Sequence, residues 1–130
     1  METHSQLNGV VRGIPKLVLR AEGALVFAAA TFAFHQLHSG WLLYAILFFT
    51  PDFFMIGYLA NSRVGALGYN LGHSYLLPAA LFTSGWFMAW PLVSSIALIW
   101  IAHIGFDRMV GYGLKYATGF KINHLSAPAQ

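Results

Sequence analysis

The sequence predicts an all-α integral membrane protein, an up-down bundle of four helices with both termini in the cytoplasm. Hydrophobic residues make up 58% of its 130 residues and charged residues only 8%, a composition typical of a membrane domain. Four stretches each contain about 20 mostly apolar residues, enough for a helix to cross the hydrocarbon layer. Lysine and arginine cluster at the ends of these stretches. We therefore expect one membrane domain over residues 1–130.

The elements follow from length and from local helix breakers. The four predicted spans and the cytoplasmic tail cover residues 17–37, 41–60, 64–86, 90–112 and 113–130. The connections between spans are very short, so consecutive helices are expected to be antiparallel neighbours. Pro51 and Pro78 lie inside the second and third spans, where each removes a helical hydrogen bond and predicts a kink. Gly68 and Gly72 have the small-xxx-small spacing that allows close helix packing.

The basic residues orient the bundle, because positive charge near span ends favours the cytoplasmic side. The basic residues near span ends all fall on the same predicted side of the membrane: Arg12, Lys16, Arg20, Arg63, Lys115 and Lys121. The first and third loops contain none. Trp41, Trp86 and Trp90 fall at the opposite boundary, where tryptophan favours the headgroup region. Both signals place the termini and the second loop in the cytoplasm.

Composition also excludes several functional classes. The chain has no cysteine, so disulfides, thiol redox chemistry and thiolate metal ligands are excluded. Its net charge of +3 comes from residues at span ends and forms no basic patch interleaved with aromatic residues. Nucleic acid is therefore not an expected partner. Membrane lipid is.

Acidic residues inside the spans are the most informative polar feature. Glu22, Asp52 and Asp107 are three of the four acidic residues in the chain, and each lies in an otherwise apolar stretch. An ionised carboxylate in hydrocarbon costs at least about 3 kcal/mol, so it normally faces an interior cavity and has a partner. These residues indicate where a functional site should be sought.

Depth and helical spacing bring polar residues of three spans together. Asp52, Asn70, His73, His103 and Asp107 all fall about 8 to 17 Å from the cytoplasmic boundary on ideal helices. His103 and Asp107 are spaced i, i+4, and Asn70 and His73 are spaced i, i+3, so each pair projects from one helix face. The sequence predicts a single inward-facing pocket in the cytoplasmic half of the bundle.

Two kinds of chemistry fit this pocket. Imidazoles and carboxylates without thiolates are suitable ligands for zinc, iron or manganese, and His73, His103 and Asp107 are the expected metal ligands. Without a metal, Asp52 and Asp107 could divide acid and base roles with the histidines as proton partners. Either chemistry would serve hydrolysis, isomerisation or cyclisation of an apolar or amphipathic small molecule. Asp52, His73, His103 and Asp107 are the expected catalytic residues.

A second set of residues is assigned to substrate binding: Asn70, Arg108, Glu22, Tyr112 and Trp100. Asn70 is expected to orient groups by hydrogen bonds, and Arg108 to balance charge or hold an anionic group. Trp100 shares the helix face of His103 and Asp107. Glu22, from the first span, is expected either to reach the pocket or to lie at the cytoplasmic interface.

Two non-enzymatic interpretations stay open. Buried Asp–His and Asp–Arg pairs can simply hold membrane helices together, and Asp107 directly precedes Arg108. Aspartate and histidine chains also form proton or ion relays. Four short helices without an inverted repeat leave little room for alternating access, although a homo-oligomer could build a pore. The sequence names neither the substrate nor the metal.

Several motifs carry a family resemblance: Pro51-Asp52, Tyr69-Asn70, His73-Ser74-Tyr75, His103-Ile104-Gly105-Phe106-Asp107-Arg108 and Gly111-Tyr112-Gly113-Leu114-Lys115. With them, residues 19–124 resemble a family of small bacterial four-helix membrane proteins catalogued only as a domain of unknown function. That resemblance implies the same bundle and a multi-pass location in the bacterial inner membrane. A looser similarity, in the histidines and aspartates alone, connects the chain to predicted membrane-bound metal-dependent hydrolases.

Overall fold

The computed structural model describes residues 9–115 and 123–125 and is helical apart from one isolated bridge between Lys115 and Asn123. A 3₁₀ helix, Thr50–Leu59, follows the second of its α-helices. The α-helices are α1 Gly13–Gln36, α2 Trp41–Leu47, α3 Ser62–His73, α4 Leu76–Phe87 and α5 Pro91–Val110. The predicted all-α class is confirmed.

The second and third predicted spans are each interrupted near a proline. α2 ends at Leu47, and the 3₁₀ helix begins at Thr50, directly before Pro51. α3 ends at His73, and Ser74 adopts an extended backbone four residues before Pro78. A proline removes the hydrogen bond to the carbonyl four residues earlier. The expected kinks are therefore complete breaks in the α-helices.

Among the described residues, three helical stretches are long and apolar enough to cross a membrane: Gly13–Gln36, Trp41–Leu59 and Pro91–Val110. α3 and α4 have 12 residues each, too few to cross singly, and together they cover the third predicted span. Large apolar side chains cover the outside of the bundle, including Leu42, Phe53, Leu59, Leu76 and Phe87. Such a surface is suited to lipid contact, and the helices are those of a membrane protein.

α5 is the central helix of the bundle and packs against α1 and α4. It crosses α1 where two glycines meet. A Cβ on Gly105 would lie 2.7 Å from the backbone nitrogen of Phe27, and one on Gly23 would lie 2.8 Å from the carbonyl oxygen of Gly105. Since backbone atoms cannot rotate away, any side chain here would push the helices apart. The crossing fixes α5, and with it two residues of the candidate site.

The described C-terminal residues pack back onto α3. The Asn70 side chain donates to the Lys115 carbonyl at 2.9 Å and accepts from the Lys115 N–H at 2.6 Å. The Leu114 N–H donates to His124 Nδ1 at 2.8 Å, and the His124 carbonyl accepts from the Val11 N–H at 2.8 Å. His124 is half-buried between these partners. Residues 116–122 and 126–130 of the predicted tail lie outside the described residues.

We expect acid to weaken this C-terminal contact. Burial, and then the positive charge of Arg108, lower the pKa of His124. A ring whose pKa is depressed below the unfolded value of about 6.5 favours folding above that pH, and this contribution is lost as the pH falls through the folded pKa. Thermal unfolding of the metal-free protein at about pH 7.5 and about pH 5 measures the loss. The loss should be smaller in His124→Asn, whose amide oxygen can still accept from Leu114; equal losses would contradict the assignment.

Candidate metal centre

Four side chains from three elements converge in the bundle. Asp52 comes from the first turn of the 3₁₀ helix, His73 is the last residue of α3, and His103 and Asp107 lie one turn apart on α5. One ligand atom from each lies within 4.8 Å of all the others. The sequence predicted that these four residues would share a pocket, and the structure brings them together.

The distances among these atoms are nearly equal. His73 Nε2 lies 3.2 Å from Asp52 Oδ1, 3.3 Å from Asp107 Oδ2 and 3.2 Å from His103 Nε2. His103 Nε2 lies 3.2 Å from each of the same two carboxylate oxygens. Five of the six edges between the four atoms therefore measure 3.2 to 3.3 Å. The sixth, between the two carboxylate oxygens, is no longer than 4.8 Å. A point equidistant from the four atoms then lies about 2.0 to 2.4 Å from each, a range that includes zinc bonds to histidine or carboxylate.

The hydrogen bond of His73 Nδ1 leaves Nε2 of the same ring suited to bind a cation. Its Nδ1 lies 2.9 Å from the carbonyl oxygen of Tyr69, which can only accept, so Nδ1 carries a hydrogen. In the neutral ring, Nε2 then holds a lone pair that faces two carboxylate oxygens and a second imidazole nitrogen. A proton on Nε2 could not bond both carboxylate oxygens equally well, and His103 Nε2 donates or accepts according to its tautomer. A divalent ion at the centre would satisfy all of them, with Tyr69 as the outer partner that metal-bound histidines usually have.

Tyr69 also fixes the plane of the His73 ring. The two rings stack with centroids 3.7 Å apart and an interplanar angle of 8°. Lys115 Nζ lies 4.6 Å from the centre of the Tyr69 ring, and burial lowers the pKa of Lys115. Arg108 Nη2 donates to the His73 carbonyl oxygen at 3.3 Å. The C-terminal segment therefore contributes to the support of a candidate ligand.

His103 is held differently. Its side chain is 2% exposed, and its Nδ1 has no hydrogen-bond partner among residues 9–115 and 123–125. The rings of Phe48 and Phe49 pack edge-on against it, with centroids 5.3 and 6.3 Å away. Aromatic packing and the α5 backbone orient this imidazole.

Glycines of α3 bring Asp52 to the cluster. A Cβ on Gly72 would lie 2.6 Å from the ring of Phe54, and one on Gly68 would lie 2.8 Å from the Phe54 carbonyl oxygen. The close packing predicted from this glycine pair is therefore observed, and its partner is the 3₁₀ helix. Because Phe54 is only two residues after Asp52, the approach of the two helices determines whether Asp52 reaches His73.

Replacing Gly72 by Ala should weaken metal binding as well as the fold. The added methyl overlaps Phe54, and relieving it costs about 1 to 3 kcal/mol while moving Asp52 away from His73. We expect the zinc dissociation constant to rise about tenfold or more, measured by competition with a coloured chelator. Ala79→Val, on the exposed face of α4, is the control and should leave affinity unchanged. If Gly72→Ala bound zinc with wild-type affinity, the packing of the 3₁₀ helix against α3 would not determine the geometry of the site.

The residues assigned to substrate binding occupy different places. Trp100 Nε1 donates to the Gly72 carbonyl oxygen at 2.6 Å, directly beside the cluster. Arg108 lies over the Tyr75 ring at 5.3 Å and contacts His73 through its carbonyl. Asn70 is occupied by the backbone of the C-terminal segment. Their role in substrate binding stays a prediction.

Two of the assigned residues lie away from the cluster. Glu22 is exposed on α1 and is not part of the described Asp/His group. Tyr112 is 57% exposed. Sequence reasoning in turn missed two supporting residues, Tyr69 and Lys115. The spacing of Tyr69 and His73, i and i+4 on α3, could have shown that they share a helix face. No local signal indicated Lys115, because a long-range contact places it.

Comparison with known proteins gives a family and no activity. A family model described as a domain of unknown function (DUF4260) matches residues 16–127. The match includes all four residues of the Asp/His cluster, and the predicted resemblance to an uncharacterised family is confirmed. No curated protein and no solved structure matches the chain.

Proposed function

The chain belongs to the DUF4260 family, and we propose that it is a membrane-embedded metalloenzyme whose Asp/His cluster binds one divalent ion. The convergence of two imidazole nitrogens and two carboxylate oxygens carries this proposal. Their spacing lets all four reach one ion, and these donors suit zinc, iron or manganese. The proposed reaction is metal-assisted chemistry on an apolar or amphipathic small molecule.

The four candidate ligands are unequally exposed, which supports a site that is open to a reactant on one side. The Asp52 side chain is 41% exposed and that of Asp107 is 14% exposed, whereas those of His73 and His103 are 3% and 2% exposed. Water or a substrate oxygen therefore approaches beside Asp52. A divalent ion held by His73, His103 and Asp107 would polarise such an oxygen, and Asp52 would be placed to accept its proton.

Metal analysis tests the proposal directly. Protein purified in detergent should contain about one zinc, iron or manganese ion per chain. The stripped protein should take up Co²⁺ and show the strong visible absorption of four-coordinate Co²⁺. A protein that binds none of these ions stoichiometrically after reconstitution would overturn the proposal.

A structural metal site is the second candidate. Four protein ligands form a closed set, as in structural zinc sites, and here they link the 3₁₀ helix, α3 and α5. The two candidates differ in whether an outside ligand can reach the ion. Acetohydroxamate, a small metal chelator, should change the spectrum of the Co²⁺ protein if the site is reactive. An unchanged spectrum at saturating chelator would favour the structural role.

For location we propose the bacterial inner membrane, with both termini in the cytoplasm, on the strength of the basic residues near span ends. The absence of native cysteine makes this testable by labelling in intact cells. Cysteines introduced at Ser5 and Ser126 should react only after the membrane is permeabilised. Cysteines at Ser84 or Ala89 should react from outside. The reverse pattern at either terminus would contradict this orientation.

A further inference from the structure

An apolar cavity lies beside the cluster, between the 3₁₀ helix, α4 and α5. Its volume is about 200 Å³, and its walls include Phe54, Leu81, Ile96 and Trp100. All four side chains are partly exposed, so the cavity opens on the outer surface of the bundle. In a membrane protein with an apolar outer surface, such an opening faces acyl chains. An engineered apolar cavity of about 150 Å³ binds benzene, so this space can hold an apolar group of at least that size.

The cavity is built from residues adjacent to the candidate metal ligands. Pro51, in its wall, directly precedes Asp52. Trp100 lies one turn before His103 on α5, and its indole N–H bonds the carbonyl of Gly72, the residue before His73. Phe54 stacks on Trp100, with ring centroids 5.9 Å apart. Three of the four cluster residues, Asp52, His73 and His103, are therefore linked to the cavity wall through a residue that precedes them in the chain.

Asp52 stands on the border between the two environments. Its carboxylate is the most exposed of the four, and the residue before it belongs to the apolar wall. A molecule that enters from the bilayer would therefore place its apolar part against the wall before its polar part meets the carboxylate. This order matches an amphipathic molecule and does not match a small, fully polar one.

We propose that this cavity is the subsite for the hydrocarbon chain of the substrate, entered sideways from the bilayer. The substrate is then an amphipathic lipid-like molecule whose oxygen-bearing group reaches the cluster past Asp52 while its alkyl or isoprenoid chain lies against Phe54, Ile96 and Trp100. The inference rests on the metal function proposed above, because the cluster must hold an ion for the polar group to bind.

Two hydroxamates that differ only in chain length test the subsite in the Co²⁺ protein. Acetohydroxamate probes the ion alone, and octanohydroxamate probes the ion and the cavity together. Leu81→Phe should fill the cavity from α4, and Ile96→Phe should fill it from α5. Leu67→Phe is the matched control, since Leu67 lines a separate apolar groove between the 3₁₀ helix and α3. Comparing variants in one detergent cancels the partition of each hydroxamate into micelles.

Filling the cavity should selectively weaken binding of the long chain. A chain cannot enter occupied space without displacing side chains, so octanohydroxamate should bind either cavity variant about tenfold or more weakly than the wild type. Acetohydroxamate should bind all four proteins equally, and Leu67→Phe should resemble the wild type. Equal octanohydroxamate affinity in all proteins that bind acetohydroxamate would overturn the subsite and leave the metal proposal intact. If Co²⁺ or acetohydroxamate fails to bind the wild type, the reactive-metal proposal fails, and the subsite fails with it.

Discussion

Asp107→Asn and His103→Gln should each weaken zinc binding by at least about 100-fold, since even changes to the outer partners of metal ligands cost 10- to 100-fold. Each substitution keeps the approximate shape of the side chain and replaces a carboxylate or imidazole ligand by a neutral amide, which binds metal weakly. Zinc content after gel filtration should fall from about one ion per chain to near zero. Elemental analysis and chelator competition measure both quantities.

Two variants control for general effects of removing charge or imidazole. Glu22→Gln changes an exposed acidic residue of α1, and His35→Gln changes an imidazole near the far end of α1. Both should retain wild-type zinc content. Full zinc occupancy in Asp107→Asn together with His103→Gln would show that the ion, if bound, lies elsewhere.

Removing the metal should lower the stability of the wild-type protein strongly. A ligand that binds only the folded state stabilises it by about 4 kcal/mol when its free concentration is a thousandfold above its dissociation constant. We therefore expect a strong metal chelator to lower the melting temperature of the wild type in detergent, and zinc to restore it. In Asp107→Asn the chelator should have almost no effect.

The same measurement separates a metal centre from a structural ion-pair cluster. If the cluster only holds the helices together, the chelator should leave the wild type unchanged. Breaking a buried ion pair would instead cost about 3 to 5 kcal/mol in Asp107→Asn with or without metal. A chelator-insensitive wild type and strongly destabilised variants would therefore exclude the metal function.

Much of the fold followed from the sequence because a lipid bilayer leaves a chain few choices. Length and apolarity located the four helical segments, and Pro51 and Pro78 marked the places where the second and third are interrupted. The 3₁₀ geometry of Thr50–Leu59 was not predicted. A 3₁₀ helix of 10 residues is uncommon. Here it packs against α3, where Gly68 and Gly72 permit the close approach. Such tertiary effects leave no periodic signal in one sequence.

The candidate site was predictable where its residues share one helix. His103 and Asp107 form an i, i+4 pair on α5, and helical spacing alone puts them together. Their convergence with Asp52 and His73 also needed the depth of each residue in the membrane. The supporting contacts of Lys115 and His124 were missed, since they come from a segment that returns to α3 over a long sequence separation.

The two helix breaks have a consequence for how the cluster accepts an ion. His103 and Asp107 lie on an uninterrupted helix that packs against α1 at the Gly23–Gly105 crossing, and this packing fixes their positions. Asp52 and His73 each lie beside a break, Asp52 just after one and His73 just before the other. Small backbone rotations at these breaks can adjust the position of either side chain without bending a continuous helix. In the proposed metal site, His103 and Asp107 would be in place before an ion arrives, and Asp52 and His73 would close over it.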